Sequence, residues 1–132
     1  MLLRIRRLPF TERYYERCIR RLIVSVELGG GGPVLLVVPG IENGSDPDKM
    51  PAGRHTLIMT RMATSKTRAL WLPGTELFGH PANSPDQLKG CWAIGEMMRS
   101  YGVADSRAAF SDLFGALGGW EEGHRVECLI EE

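Results

Sequence analysis

Apolar and polar residues alternate at both ends of the chain. In LLRIRRL (residues 2–8), Leu3, Ile5 and Arg7 share one face of a two-residue period, predicting a first strand ended by Pro9. In HRVECLI (124–130), Val126, Cys128 and Ile130 alternate inward and predict a last strand. The segment after Pro9 fits two periods. Tyr14, Cys18 and Leu22 make a helical stripe, whereas Leu22, Val24, Val26 and Leu28 make a strand face. The reading is a turn or short helix over 11–18 followed by a strand over 20–28.

GGGGP (29–33) predicts a turn, because four glycines lose more backbone entropy than an element interior tolerates. VLLVV (34–38), bounded by Pro33 and Pro39, predicts the second strand of a hairpin, and 39–53 a long irregular loop dense in turn formers. RHTLIMT (54–60) reads as a strand with His55, Leu57 and Met59 on one face, and ALWLPG (69–74) as a short strand entering a turn. Residues 105–119 carry the one convincing helical stripe: Ala109, Phe110, Leu113, Phe114 and Leu117, with Asp105 or Ser106 as cap and Gly118–Gly119 as stop. Many short strands and one late amphipathic helix predict a single mostly β or α+β domain over residues 1–132.

Composition adds little to the fold but narrows the function. Sixteen basic and sixteen acidic residues cancel, so no global field draws the chain to nucleic acid or anionic lipid. The distribution is uneven: seven arginines fall within residues 1–21, and five glutamates within 121–132. Either the two ends lie together and neutralise, or each is a solvated face; nucleic-acid binding through the arginines is the less favoured alternative. The apolar runs are too short to span a bilayer, and MLLRIRRLPF has no apolar core of a cleavable leader. The expectation is a protein made in the cytoplasm, with no membrane partner. Cys18, Cys91 and Cys128 follow no disulfide or zinc spacing, and no cofactor is implied.

The chemistry-bearing stretch is FGHPANSPDQLKGCWAIG (78–95). A thiol becomes a nucleophile when a base or positive field raises its thiolate fraction. Cys91 follows Gly90, whose missing side chain leaves room for a substrate carbonyl beside local backbone N–H groups. His80, eleven residues upstream, is a candidate base, and Asn83 a residue to pin the loop or orient the imidazole. Asp86 is a turn residue with a secondary claim to assist His80. Trp71, Trp92 and Trp120 read mainly as core or rim residues, with Trp92, which adjoins the thiol, a secondary candidate for the floor of a groove. His55 and His124 read as structural.

H-P-A-N (80–83) followed by K-G-C (89–91) resembles the histidine, asparagine and glycine–cysteine elements of the L,D-transpeptidase catalytic domain. Four blocks together resemble a small phage- and prophage-associated domain family of undefined function: M-P-A-G-R-H (50–55), L-P-G-T-E-L-F-G-H-P-A-N (72–83), L-K-G-C-W-A-I-G (88–95) and S-R-A-A-F (106–110). The resemblance covers about residue 50 to the C-terminus. It implies a compact β-sandwich or barrel-like sheet, with Cys91 as nucleophile, His80 as base, Gly90 at an oxyanion site and Asn83 holding the loop. Two positions depart from the transpeptidase pattern, Ala93 standing for arginine and Leu88 for serine.

The function so implied is a phage-type cysteine peptidase or transpeptidase acting on peptidoglycan peptide stems. It would reach the periplasm or cell wall after lysis, injection or secretion. The alternative is a non-catalytic phage accessory or virion component that uses the same scaffold to bind a protein partner.

Overall fold

A computed structural model describes residues 1–29, 31–45 and 49–132. Its core is a closed eight-stranded barrel built from β1 (Leu2–Tyr14), β2 (Arg17–Glu27), β3 (Val34–Asn43), β4 (Gly53–Arg61), β5 (Arg68–Trp71), β6 (Phe78–Gly79), β7 (Trp92–Ile94) and β10 (Arg125–Glu131). Around the barrel the order is β1-β10-β4-β5-β6-β7-β3-β2, and β2 pairs β1 to close it. Closure removes the exposed strand edges that an open sheet must protect. A separate hairpin, β8 (Met97–Arg99) and β9 (Gly102–Ala104), precedes the one α-helix, α1 (Ser106–Ala116). The fold is therefore mostly β, and of the two architectures expected it is the barrel.

Alternation at the two ends of the chain translates directly into burial. Leu3, Ile5 and Arg7 point inward from β1, and Val126, Cys128 and Ile130 from β10. The two strands lie side by side in parallel, Leu3 opposite Cys128 and Ile5 opposite Ile130. This pairing brings the arginine-rich and glutamate-rich ends together. Arg4 donates to Glu27 at 3.0 Å and to Glu131 at 2.6 Å, and Arg7 donates to Glu132 at 2.9 Å. Mutual neutralisation, the first of the charge readings, is the observed arrangement for these residues.

Arg7 is the exception inside the inward-facing row. Its side chain and that of Glu42 are 2% and 4% exposed, and Nε meets Oε1 at 2.6 Å. The carbonyl of Met50 accepts a further bond from Arg7 Nη2. A charge can stay inside a barrel only when paired and hydrogen-bonded in this way.

Three local expectations need correction. β1 does not end at Pro9; it runs to Tyr14, and its register against β2 shifts between Arg7 and Thr11. A bulge of this kind is one of the few places where a strand tolerates proline. Of the turn or short helix expected over 11–18 the turn forms, narrowed to the tight link between β1 and β2 where Tyr15 takes a left-handed φ of 55°. β3 likewise continues through Pro39 to Asn43. β7 pairs with β3 only at Gly40, Ile41 and Glu42, so up to Pro39 that side of β3 has no strand ladder to complete. The loop expected from 39 thus begins at Gly44, and its residues 46–48 lie outside the described residues, as does Gly30 of the glycine turn.

α1 buries the stripe read from the sequence: Ala109, Phe110, Leu113, Phe114 and Leu117 are each at most 5% exposed. Burying side chains of this size contributes roughly 1.5–3 kcal/mol each for the larger ones. Phe110 packs on Trp92 of β7 with ring centroids 5.8 Å apart. Trp92 in turn fills the space above Gly79, where any β-carbon would collide with the indole. The helix thus fixes the β6–β7 pair, and with it the chemistry-bearing stretch.

Candidate functional site

The stretch 78–95 leaves the barrel at the end of β6 and returns at β7. These two strands are parallel neighbours, with Gly79 opposite Trp92, and the His80 amide donates to the Trp92 carbonyl at 3.0 Å. His80 is the residue just after β6, and Cys91 the residue just before β7. An excursion of twelve residues, 80–91, therefore returns to the strand pair it left. A short 3-10 turn at Pro85–Gln87 reverses the chain, with Ser84 as its cap and Pro85 at its first position. Gly90 then takes φ +78°, a left-handed conformation that favours glycine, and delivers the chain into Cys91.

Cys91 and His80 line one open groove of about 910 Å³. Cys91 is largely covered, at 6% exposure, and is among the residues lining this space. The Phe78 amide donates to Cys91 Sγ at 3.3 Å, and the thiol lies 3.7 Å from the Glu76 carbonyl. An N–H aimed at sulfur stabilises negative charge there.

His80 is half-buried, and burial pushes its pKa below the usual range, opposed by its hydrogen bond to Pro81. Nδ1 lies 3.1 Å from the Pro81 carbonyl. A carbonyl can only accept, so Nδ1 carries the proton of the neutral ring and the lone pair belongs to Nε2. A neutral imidazole with a committed Nδ1 is what a general base requires.

The other two candidate residues sit elsewhere. Asn83 is exposed and does not line the groove; its Oδ1 accepts the Ser106 amide of α1 at 3.3 Å, and its carbonyl accepts the Val103 amide at 2.9 Å. It pins the loop, as one of its two expected roles had it, and its side-chain oxygen is engaged by the helix rather than by the imidazole. Gly90 is buried and supplies the turn before the thiol. Trp92 takes the first of its two expected roles: at 2% exposure it packs into the core, and it is not among the residues lining the groove. Asp86 lies in the 3-10 turn, lines the groove and pairs with Arg17 at 2.8 Å. His55 holds the Pro51 carbonyl through Nε2 at 2.7 Å, a structural role.

Sequence reading missed the cations of the groove, Lys49 and Lys89. Lys89 stands in the K-G-C triplet and was available to view, but Lys49 is brought in from the distant β3–β4 loop and carries no local signal. Among the described residues no three His, Cys, Asp or Glu side chains cluster as metal ligands. No described helix is long and apolar enough to cross a membrane. Compared with family models, with curated proteins and with solved structures, the chain finds no match in any of the three.

Proposed function

We propose that the groove is the site of a cysteine-dependent acyl transfer on the peptide crosslinks of peptidoglycan, with the protein acting as a phage-type peptidase or transpeptidase. The observation that carries this reading is the shared groove: Cys91 and His80, which flank the single Gly79–Trp92 rung of the parallel β6–β7 pair diagonally, line one open space. His80 Nε2 takes the thiol proton while Cys91 sulfur attacks the substrate carbonyl carbon. The tetrahedral intermediate collapses to a thioester as the leaving amine takes the proton back from the imidazolium. Water or a second amine, deprotonated by Nε2, then attacks the thioester and releases the thiol.

The resemblance to L,D-transpeptidases supplies the substrate class, and one departure from it bears on binding. Ala93, where those enzymes carry arginine, is fully buried. A substrate carboxylate would instead meet Lys89 and Lys49 on the groove wall. An ammonium acts there as a point charge without the two-pronged grip of a guanidinium. Mass spectrometry of muropeptides after incubation of purified peptidoglycan with parent, Cys91→Ala and His80→Ala proteins tests the reading. New crosslink or stem products from the parent alone are expected; equal products from all three would dispose of it.

A second reading, a binding module on the same scaffold, is favoured by the low exposure of Cys91. On that reading the groove retains a ligand without turning it over, and Cys91→Ala leaves binding to purified peptidoglycan unchanged while no product forms with either protein.

A further inference from the structure

A second cavity, of about 350 Å³, shares no lining residue with the Cys91 groove. Arg61, Lys66, Arg68 and Arg107 line it, and among the described residues no carboxylate does. Thr67 and Ser111 add hydroxyl groups, and the buried rings of Phe110 and Phe114 give it an apolar wall.

The placement of two of these cations runs against ordinary strand chemistry. Arg61 and Arg68 are direct partners in the antiparallel β4–β5 pair. Like charges directly opposite each other destabilise a ladder. Among the described residues none of the four cations has an ion-pair partner, whereas Arg4, Arg6, Arg7, Arg17 and Arg21 each have one. Instead the two guanidinium groups lie over the Trp120 ring, 4.7 and 4.8 Å from its centroid. Arg61 also donates to the Lys66 carbonyl at 3.0 Å. The forks are thus held in position by a ring that leaves their charge uncompensated.

We propose that this cavity binds the phosphate group of a phosphorylated small molecule, whose apolar portion lies against Phe110 and Phe114. Three guanidinium forks and one ammonium exceed what the two oxygens of a carboxylate can satisfy. A phosphomonoester or diphosphate carries about two or more negative charges near neutral pH and enough oxygens to meet several forks at once. The same group is available from a soluble metabolite or from a lipid headgroup.

The test uses the full chain. Its thermal midpoint is followed against sodium pyrophosphate, with sodium chloride and sodium acetate at matched ionic strength, and its sedimentation with phosphatidic acid vesicles against phosphatidylcholine vesicles. The expected result is a saturable rise with pyrophosphate that chloride and acetate do not produce. Losing one charge-assisted contact weakens such binding roughly 10- to 100-fold, the expectation for Arg68→Gln and for Arg107→Gln. Arg54→Gln, exposed on β4 and outside the cavity, and Cys91→Ala should retain parental affinity. Sedimentation with phosphatidic acid that Arg68→Gln abolishes would assign the phosphate to a headgroup, and pyrophosphate binding alone would assign it to a soluble ligand. The proposal is overturned if neither probe binds beyond its control, or if Arg68→Gln and Arg107→Gln bind as the parent does. Because Cys91→Ala keeps this site intact, failure here and failure of the acyl-transfer reading are separate results.

Discussion

Asn83 Oδ1 accepts the backbone N–H of Ser106, so a residue of the site loop caps a helix that begins twenty-three positions later. The cap position proper, Asp105, is left-handed at φ 55° and makes no side-chain cap bond. Asn83 therefore does from a distance what a local aspartate or serine ordinarily does. Substituting a cap by alanine costs about 0.5–2 kcal/mol. Asn83→Ala is expected to lower the unfolding free energy measured in urea by that amount, while Asn83→Asp, which keeps an acceptor, retains most of it.

The Arg7–Glu42 pair yields a sharper contrast. Glu42→Ala leaves a buried guanidinium without its main partner, and breaking such a pair costs about 3–5 kcal/mol. Removing both charges together, as Arg7→Met with Glu42→Leu, is expected to cost much less, because no uncompensated charge remains inside. Urea unfolding of the two proteins measures the difference directly.

Titration of His80 predicts the acid behaviour of both stability and turnover. Its pKa in the folded protein lies below the value of about 6.5 it has when unfolded. Below 6.5 the unfolded chain binds a proton that the folded one resists. This contribution to stability is thus fully present above 6.5 and is lost as pH falls through the folded value. On the proposed acyl-transfer reading, turnover should follow the same direction, since there only the neutral ring takes the thiol proton. Acid unfolding of parent and His80→Gln should diverge below pH 6.5, with the variant losing less stability as pH falls.

The three thiols should differ in reactivity. Cys128 is buried in β10, and desolvation with the nearby Glu127 charge pushes its pKa up to about 12. Iodoacetamide is expected to leave Cys128 untouched in the native protein and to modify it only on unfolding. Cys91, facing the groove, is expected to react first, as peptide mapping after a short exposure would record.

Legibility in the sequence followed the length of each period. β10 and α1 carry long, unambiguous patterns, and their inward residues were identified one by one. β8 and β9 have three residues each, too few to display a period, and their hairpin was not anticipated. Pro9 and Pro39 were read as terminators because proline cannot complete a ladder on both sides. A bulge in one case and a missing neighbour in the other removed that constraint, and neither is visible without the partner strand. That Cys91 and His80 line one groove was readable because both lie in one short excursion. Lys49 and the Arg61–Arg68 juxtaposition depend on strand register and were not.

The alkylation rate of Cys91 against pH, in the parent and in His80→Gln, tests the thiol–imidazole partnership most directly, with circular dichroism confirming that both proteins are folded. General-base assistance typically contributes about 10²–10⁴-fold to a reaction. The account predicts that Cys91 in the parent reacts with an acid limb set by His80, and that His80→Gln slows the reaction at pH 7 at least about tenfold and abolishes that limb. Equal rates and identical pH profiles in the two folded proteins would contradict it.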